Sequence, residues 1–130
     1  MLERGIKGTG EVVVTKELTA KVMGSGELEV YATPAMIALM EQTAYKSVAA
    51  ELEEGCGSVG TLMNVEHVSA SPVGMKITCS TELTEVDGRK LFFSVEAYDE
   101  KGLIGKGTHE RFIVQNEKFQ NRADNKMKEQ

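Results

Sequence analysis

Thr33-Pro34-Ala35-Met36-Ile37-Ala38-Leu39-Met40-Glu41-Gln42-Thr43-Ala44-Tyr45-Lys46-Ser47-Val48 is the stretch on which the fold turns. Apolar side chains recur at Met36, Ile37, Leu39, Met40, Ala44 and Val48 and continue to Leu52, the three- and four-residue spacing of a helix. Alanines at 35, 38, 44, 49 and 50 fill most of the gaps. A helix apolar around so much of its circumference has to be enclosed by other elements. Thr33 reads as the N-cap, its hydroxyl accepting from a free first-turn N–H, with Pro34 at N1 giving up a donor that has no partner there. Gly55 supplies the stop. Glu51, Glu53 and Glu54 crowd the end where the helix dipole disfavours negative charge, which the sequence does not explain.

Outward from this helix the pattern is extended. Residues 9–19 are rich in β-branched side chains and read as a first strand, and residues 21–29, broken by Gly24, Ser25 and Gly26, read as a loop. After the helix the period changes to two. Residues 58–69 give one strand, 71–74 a turn, and 75–86 a second strand. Asp87-Gly88 forms a two-residue hairpin turn, 89–98 a third strand, 99–102 another turn, and 103–115 a fourth strand. Residues 116–130 are polar and read as a frayed tail or loose terminal helix appended to a single domain spanning 1–115. A strand, a loop, one enclosed helix and a four-strand meander predict an α+β protein, with a curved antiparallel sheet of about five strands wrapped around the helix. The outer face or edge of such a sheet calls for a partner, which points to a homodimer.

At 130 residues the chain has the length of one domain, and its 41% hydrophobic and 27% charged composition is that of an ordinary soluble protein. The net charge of -5, without any Lys/Arg block, argues against nucleic acid and anionic membrane surfaces as partners. No apolar run spans a bilayer, and the first residues lack the order of a secretory signal, so a cytoplasmic protein is expected. Cys56 and Cys79 form no metal-ligand spacing and read as reduced, structural thiols.

Three residues stand out as carriers of chemistry. Glu41 falls within the apolar helix, where a carboxylate is costly unless paired, although it also fits an exposed stripe with Ala38, Tyr45 and Lys46. His67 sits inside a strand with a side chain able to exchange protons near neutral pH, or simply to pack. Thr33 at the helix start either caps the helix or points its hydroxyl into a site. Alternating glycines at 105 and 107, followed by His109, indicate close backbone approach to another chain or a ligand. His67 and His109 have no spacing that supports zinc, and Gly5 to Gly10 matches no phosphate-binding fingerprint, so no metal or cofactor is expected.

Five segments in register resemble the fluoroacetyl-CoA thioesterase-like family of hotdog-fold proteins. They are Val30 to Glu41, Gly57 to Thr61 with Val65-Glu66-His67, Ser71 to Gly74, Val86 to Leu91, and Gly105 to Arg111. The resemblance implies a hotdog fold, dimeric pairing with sites at the subunit interface, and hydrolysis of an acyl-CoA thioester. It implies Thr33, Glu41 and His67 as the catalytic set. Glu41 attacks the carbonyl or activates water, His67 orients Glu41 and serves the leaving thiolate, and Thr33 hydrogen-bonds the carboxylate or the oxyanion. Gly60 matches a glycine at the acyl end of the pocket, and Gly60, Met40, Gly107 and His109 are the expected substrate-binding positions. The stretch 21–29 lacks the phenylalanine-bearing lid of the fluoroacetyl-specific member, so a different or broader acyl group is expected. The alternative within the same scaffold is a non-catalytic acyl-CoA-binding or sensing protein. A hotdog dehydratase fits less well, because the helix contains no histidine.

Overall fold

The computed structural model describes residues 1–128, so the end of the expected 116–130 tail, residues 129–130, lies outside the described residues. Strand β1 (Lys7–Val13) is followed by a short 3₁₀ turn and the one-turn helix α1 (Ala20–Met23), then by the long helix α2 (Thr33–Val48). Strands β2 (Cys56–His67), β3 (Lys76–Asp87), β4 (Lys90–Asp99) and β5 (Gly102–Gln115) complete the sheet, and α3 (Asn116–Asn125) closes the described chain. Among the described residues no helix is long and apolar enough to cross a membrane.

The helix is enclosed, as its composition demands. Ala35, Met36, Leu39, Met40, Thr43, Ala44 and Val48 are buried. They pack into a core shared with Ile77, Cys79 and Leu83 of β3, with Leu91, Phe93, Val95 and Ala97 of β4, and with Ile104 of β5. Burial alternates along β3 and β4, so each contributes one apolar face to the helix. β1 reaches the helix through missing side chains, for a Cβ on Gly10 would lie 2.6 Å from Thr43 Oγ1. Gly88 turns the β3–β4 hairpin with φ +63°.

Several sequence expectations need correction. The four strands after the helix are not a meander, because the antiparallel order is β1-β3-β4-β5-β2. β2 pairs only with β5 and forms one edge, while residues 68–75, expected to contain a turn at 71–74 within a meander, cross over to β3. That crossover is tied down where the Tyr31 N–H donates to the Ser71 carbonyl at 2.8 Å. Alternation identifies strands and their inner faces but says nothing of which strands pair. The first strand ends at Val13 rather than 19 and the loop at 21–29 begins with α1, while the tail takes the helical one of its two expected forms through Asn125. α2 ends at Val48 and gives way to a 3₁₀ turn over Ala49–Glu51, so Glu53 and Glu54 lie beyond the helix rather than in its last turn. Ala32, not Thr33, is the N-cap, and no side chain caps it.

If the helix sits this closely on β1, Gly10→Ala overpacks the contact. We expect a loss of about 1–3 kcal/mol, measured by thermal or denaturant unfolding. An unchanged unfolding midpoint would contradict the packing.

Candidate functional site

With Ala32 as N-cap, Thr33 is the first helical residue and its hydroxyl is released from capping. It lies instead 2.8 Å from Nδ1 of His67, near the end of β2. The His67 ring stands edge-on to buried Tyr31, with centroids 6.4 Å apart and planes at 83°. Desolvation of the half-buried ring lowers the imidazole's affinity for protons. A neutral ring follows at neutral pH, and its Nε2 is buried without a partner. Thr33 and His67 open onto a cleft of about 280 Å³ whose other walls include Ala20, Ser25 and Ser69, so the α1 segment forms one side of it.

Glu41 belongs to a second cluster. Its carboxylate, 43% exposed, points over β2 toward Gly60 and lies 3.7 Å from Nη1 of Arg111. A Cβ on Gly60 would come within 2.5 Å of Glu41 Oε2, 3.2 Å of His109 Cε1 and 3.4 Å of Arg111 Nη1. Gly60 is therefore required because three functional groups converge over it. The guanidinium donates from Nε to Ser58 Oγ at 2.8 Å and from Nη2 to the Ser58 carbonyl at 2.7 Å. Its carbon sits 5.6 Å from the centre of the Tyr45 ring. The sequence reading passed over Arg111, although a buried cation four residues beyond an inward glycine on a sheet strand has few possible partners other than a carboxylate.

The expected set is thus split within one chain. Thr33 and His67 are in contact, but Thr33 and Glu41 lie eight residues apart on one helix, about 12 Å along its axis at ~1.5 Å per residue. His67 does not orient Glu41 in the single chain, and Arg111 is the group beside that carboxylate. Nor is Glu41 buried, since the stripe it shares with exposed Ala38, Tyr45 and Lys46 faces outward. Three of the expected substrate-binding positions turn inward. Met40 is fully buried in the core and His109 is 1% exposed. At Gly107 the neighbour that excludes a side chain is β2, through Val65 and the Asn64 carbonyl. The close approach read from that glycine is therefore strand to strand.

Comparison with known proteins bears on this arrangement. A family profile described as fluoroacetyl-CoA-specific thioesterase matches residues 14–117. The fluoroacetyl-CoA thioesterase of Streptantibioticus cattleyicolor is 45% identical over 91 residues, which are 70% of this chain and 66% of that protein. A variant of the fluoroacetyl-CoA enzyme solved in complex with acetyl-CoA superimposes with a TM-score of 0.91 at 35% identity, covering 96% of this chain and 98% of that one. A thioesterase superfamily member from Thermus thermophilus gives a TM-score of 0.90 at 29% identity, over 98% of this chain and 95% of its own.

Partial burial of His67 and full burial of His109 have a consequence for stability. Each binds a proton less readily folded than at its ordinary value of 6.5, so below that pH the unfolded chain takes up more protons. Their contribution is complete above 6.5 and is lost as the pH falls. We expect a lower urea midpoint at about pH 5.5 than at about pH 7.5, with the difference reduced in His67→Gln. A midpoint independent of pH over this range would contradict the desolvation of the two rings.

Proposed function

Because the chain belongs to the fluoroacetyl-CoA-specific thioesterase family, we propose that it hydrolyses a small or medium acyl-CoA thioester to the free acid and CoA, acting as a homodimer. The observation that carries this reading is the placement of the Thr33–His67 pair and of Glu41 along the same flank of α2, beside the free edge of β2. An edge strand with unpaired backbone groups and an exposed Leu62 seeks another strand. Pairing two β2 edges antiparallel about a two-fold axis lays two α2 helices side by side in opposite directions. The N-terminal end of one helix then faces the middle of the other, and a Thr33–His67 pair meets a Glu41 across the interface.

In this composite site the thioester carbonyl lies near the Thr33 hydroxyl, which donates to the oxyanion as it forms. Glu41 either attacks the carbonyl carbon or takes a proton from the attacking water. The C–S bond breaks, a C–O bond forms, and His67 serves the departing thiolate. Water is the only co-reactant, so no cofactor or metal enters the proposal. Free Cys56 and Cys79 suit a reducing, cytoplasmic setting. The segment walling the Thr33–His67 cleft is α1 and its flanks, which carry no aromatic ring between 20 and 29, so we propose an acyl range broader than fluoroacetyl.

A thiol-release assay over short, long, branched and aromatic acyl-CoAs tests the reading. We expect release from short or medium chains, little preference for fluoroacetyl over acetyl, and a loss of about a hundredfold or more in kcat for Glu41→Gln with the fold intact. His67→Ala lowers kcat more than it raises KM. Binding of acyl-CoA without release from any substrate would favour the acyl-CoA-sensing alternative, and a folded, fully active Glu41→Gln would overturn the assignment.

A further inference from the structure

His109 has no exposed surface with which to touch substrate, yet it is bonded at both ring nitrogens. Nδ1 lies 2.8 Å from the Leu62 carbonyl, which only accepts, so Nδ1 carries the hydrogen. Nε2 is then a bare lone pair, and it accepts from Nη1 of Arg111 at 3.1 Å. The ring stacks on Phe93, with centroids 6.0 Å apart and planes at 29°, which fixes its orientation. Leu62 sits at the irregularity in β2 where the register with β5 shifts between Gly60 and Leu62. A fixed line of groups therefore runs from the β2 bulge through His109 to Arg111.

That line ends at Glu41. Arg111 is held at three corners: two by Ser58 and one by His109. Held so, Nη1 stops 3.7 Å from the carboxylate, an ion pair but longer than a hydrogen bond. A guanidinium free to turn would close that gap and donate directly, because carboxylate and guanidinium match in geometry. A carboxylate clamped in that way has fewer lone pairs left for an incoming carbonyl or water. We propose that His109 is a positioning residue that holds Arg111 off Glu41, leaving the carboxylate oriented but unclamped. This rests on the reading of Glu41 as the reacting carboxylate. The other charged and titratable groups around the line are Tyr45 from α2 and Glu110 from β5, the latter paired with Lys90 of β4 at 3.0 Å, while β2 presents the uncharged Ser58 and Gly60 and Phe93 of β4 stacks on the ring.

The test compares His109→Phe, which keeps the stacking but removes the acceptor, with His109→Gln, whose amide oxygen restores one. For His109→Phe we expect kcat to fall about tenfold with KM little changed. The acid limb of its kcat/KM profile moves to lower pH by about one unit, because a carboxylate that accepts from a guanidinium is harder to protonate. His109→Gln stays near wild type on both measures. Ser58→Ala removes a different restraint on the same guanidinium and moves the acid limb in the same direction, so the inference stays testable if His109→Phe does not fold. A folded His109→Phe, or a Ser58→Ala, with an unmoved acid limb would overturn it. A mere loss of packing lowers the active fraction without shifting that limb. Should Glu41→Gln keep both the hydrolysis and the acid limb, the reading of Glu41 itself fails instead.

Discussion

Enclosure of α2 by the curled sheet is the constraint from which the rest follows. β3, β4 and β5 take up the apolar surface of the helix, and β1 closes on it through glycines that offer no side chain. What remains uncovered is one polar flank running beside β2, and that flank carries Thr33 and Glu41. Burial on the other sides fixes the rotation of the helix about its axis. The direction of both candidate side chains is thus set by residues with no chemistry of their own, such as Met36, Leu39 and Val48.

The two clusters along the flank are built differently. At the helix start, an extended Ala32 hands the Thr33 hydroxyl to His67, and burial keeps that imidazole neutral with one nitrogen unsatisfied. One helical stretch further on, a half-exposed carboxylate faces a buried guanidinium whose donors are engaged elsewhere. Neither cluster brings Glu41 together with the Thr33–His67 pair. On the dimeric reading, a second copy paired along the β2 edge supplies the other half, and the same edge carries the bulge that anchors His109.

Much of this was legible from residues alone. The Met36-to-Val48 spacing identifies the helix, and the change to alternation after Gly55 identifies four strands. Thr33, Glu41 and His67 stand out in the sequence by type and position. What the sequence hid were relations between elements: that β2 skips to the far edge, that Thr33 is released from capping, and that Met40 and His109 turn into the core. Arg111 was hidden for the same reason. Its role depends on Ser58, His109 and Glu41, which lie on three elements and come together only through the β2–β5 pairing.

The central claim is that one active site draws Thr33 and His67 from one subunit and Glu41 from its partner, and subunit mixing addresses it directly. Inactive Glu41→Gln and His67→Ala homodimers are combined in equal amounts, dissociated, reassembled and assayed for thiol release. If sites are shared, mixed dimers are half the population and each has one intact site, so activity returns to about a quarter of the wild-type value. If each site lies within one chain, every site in the mixture carries a substitution. Activity that stays at the level of the parent variants after verified exchange would contradict the account.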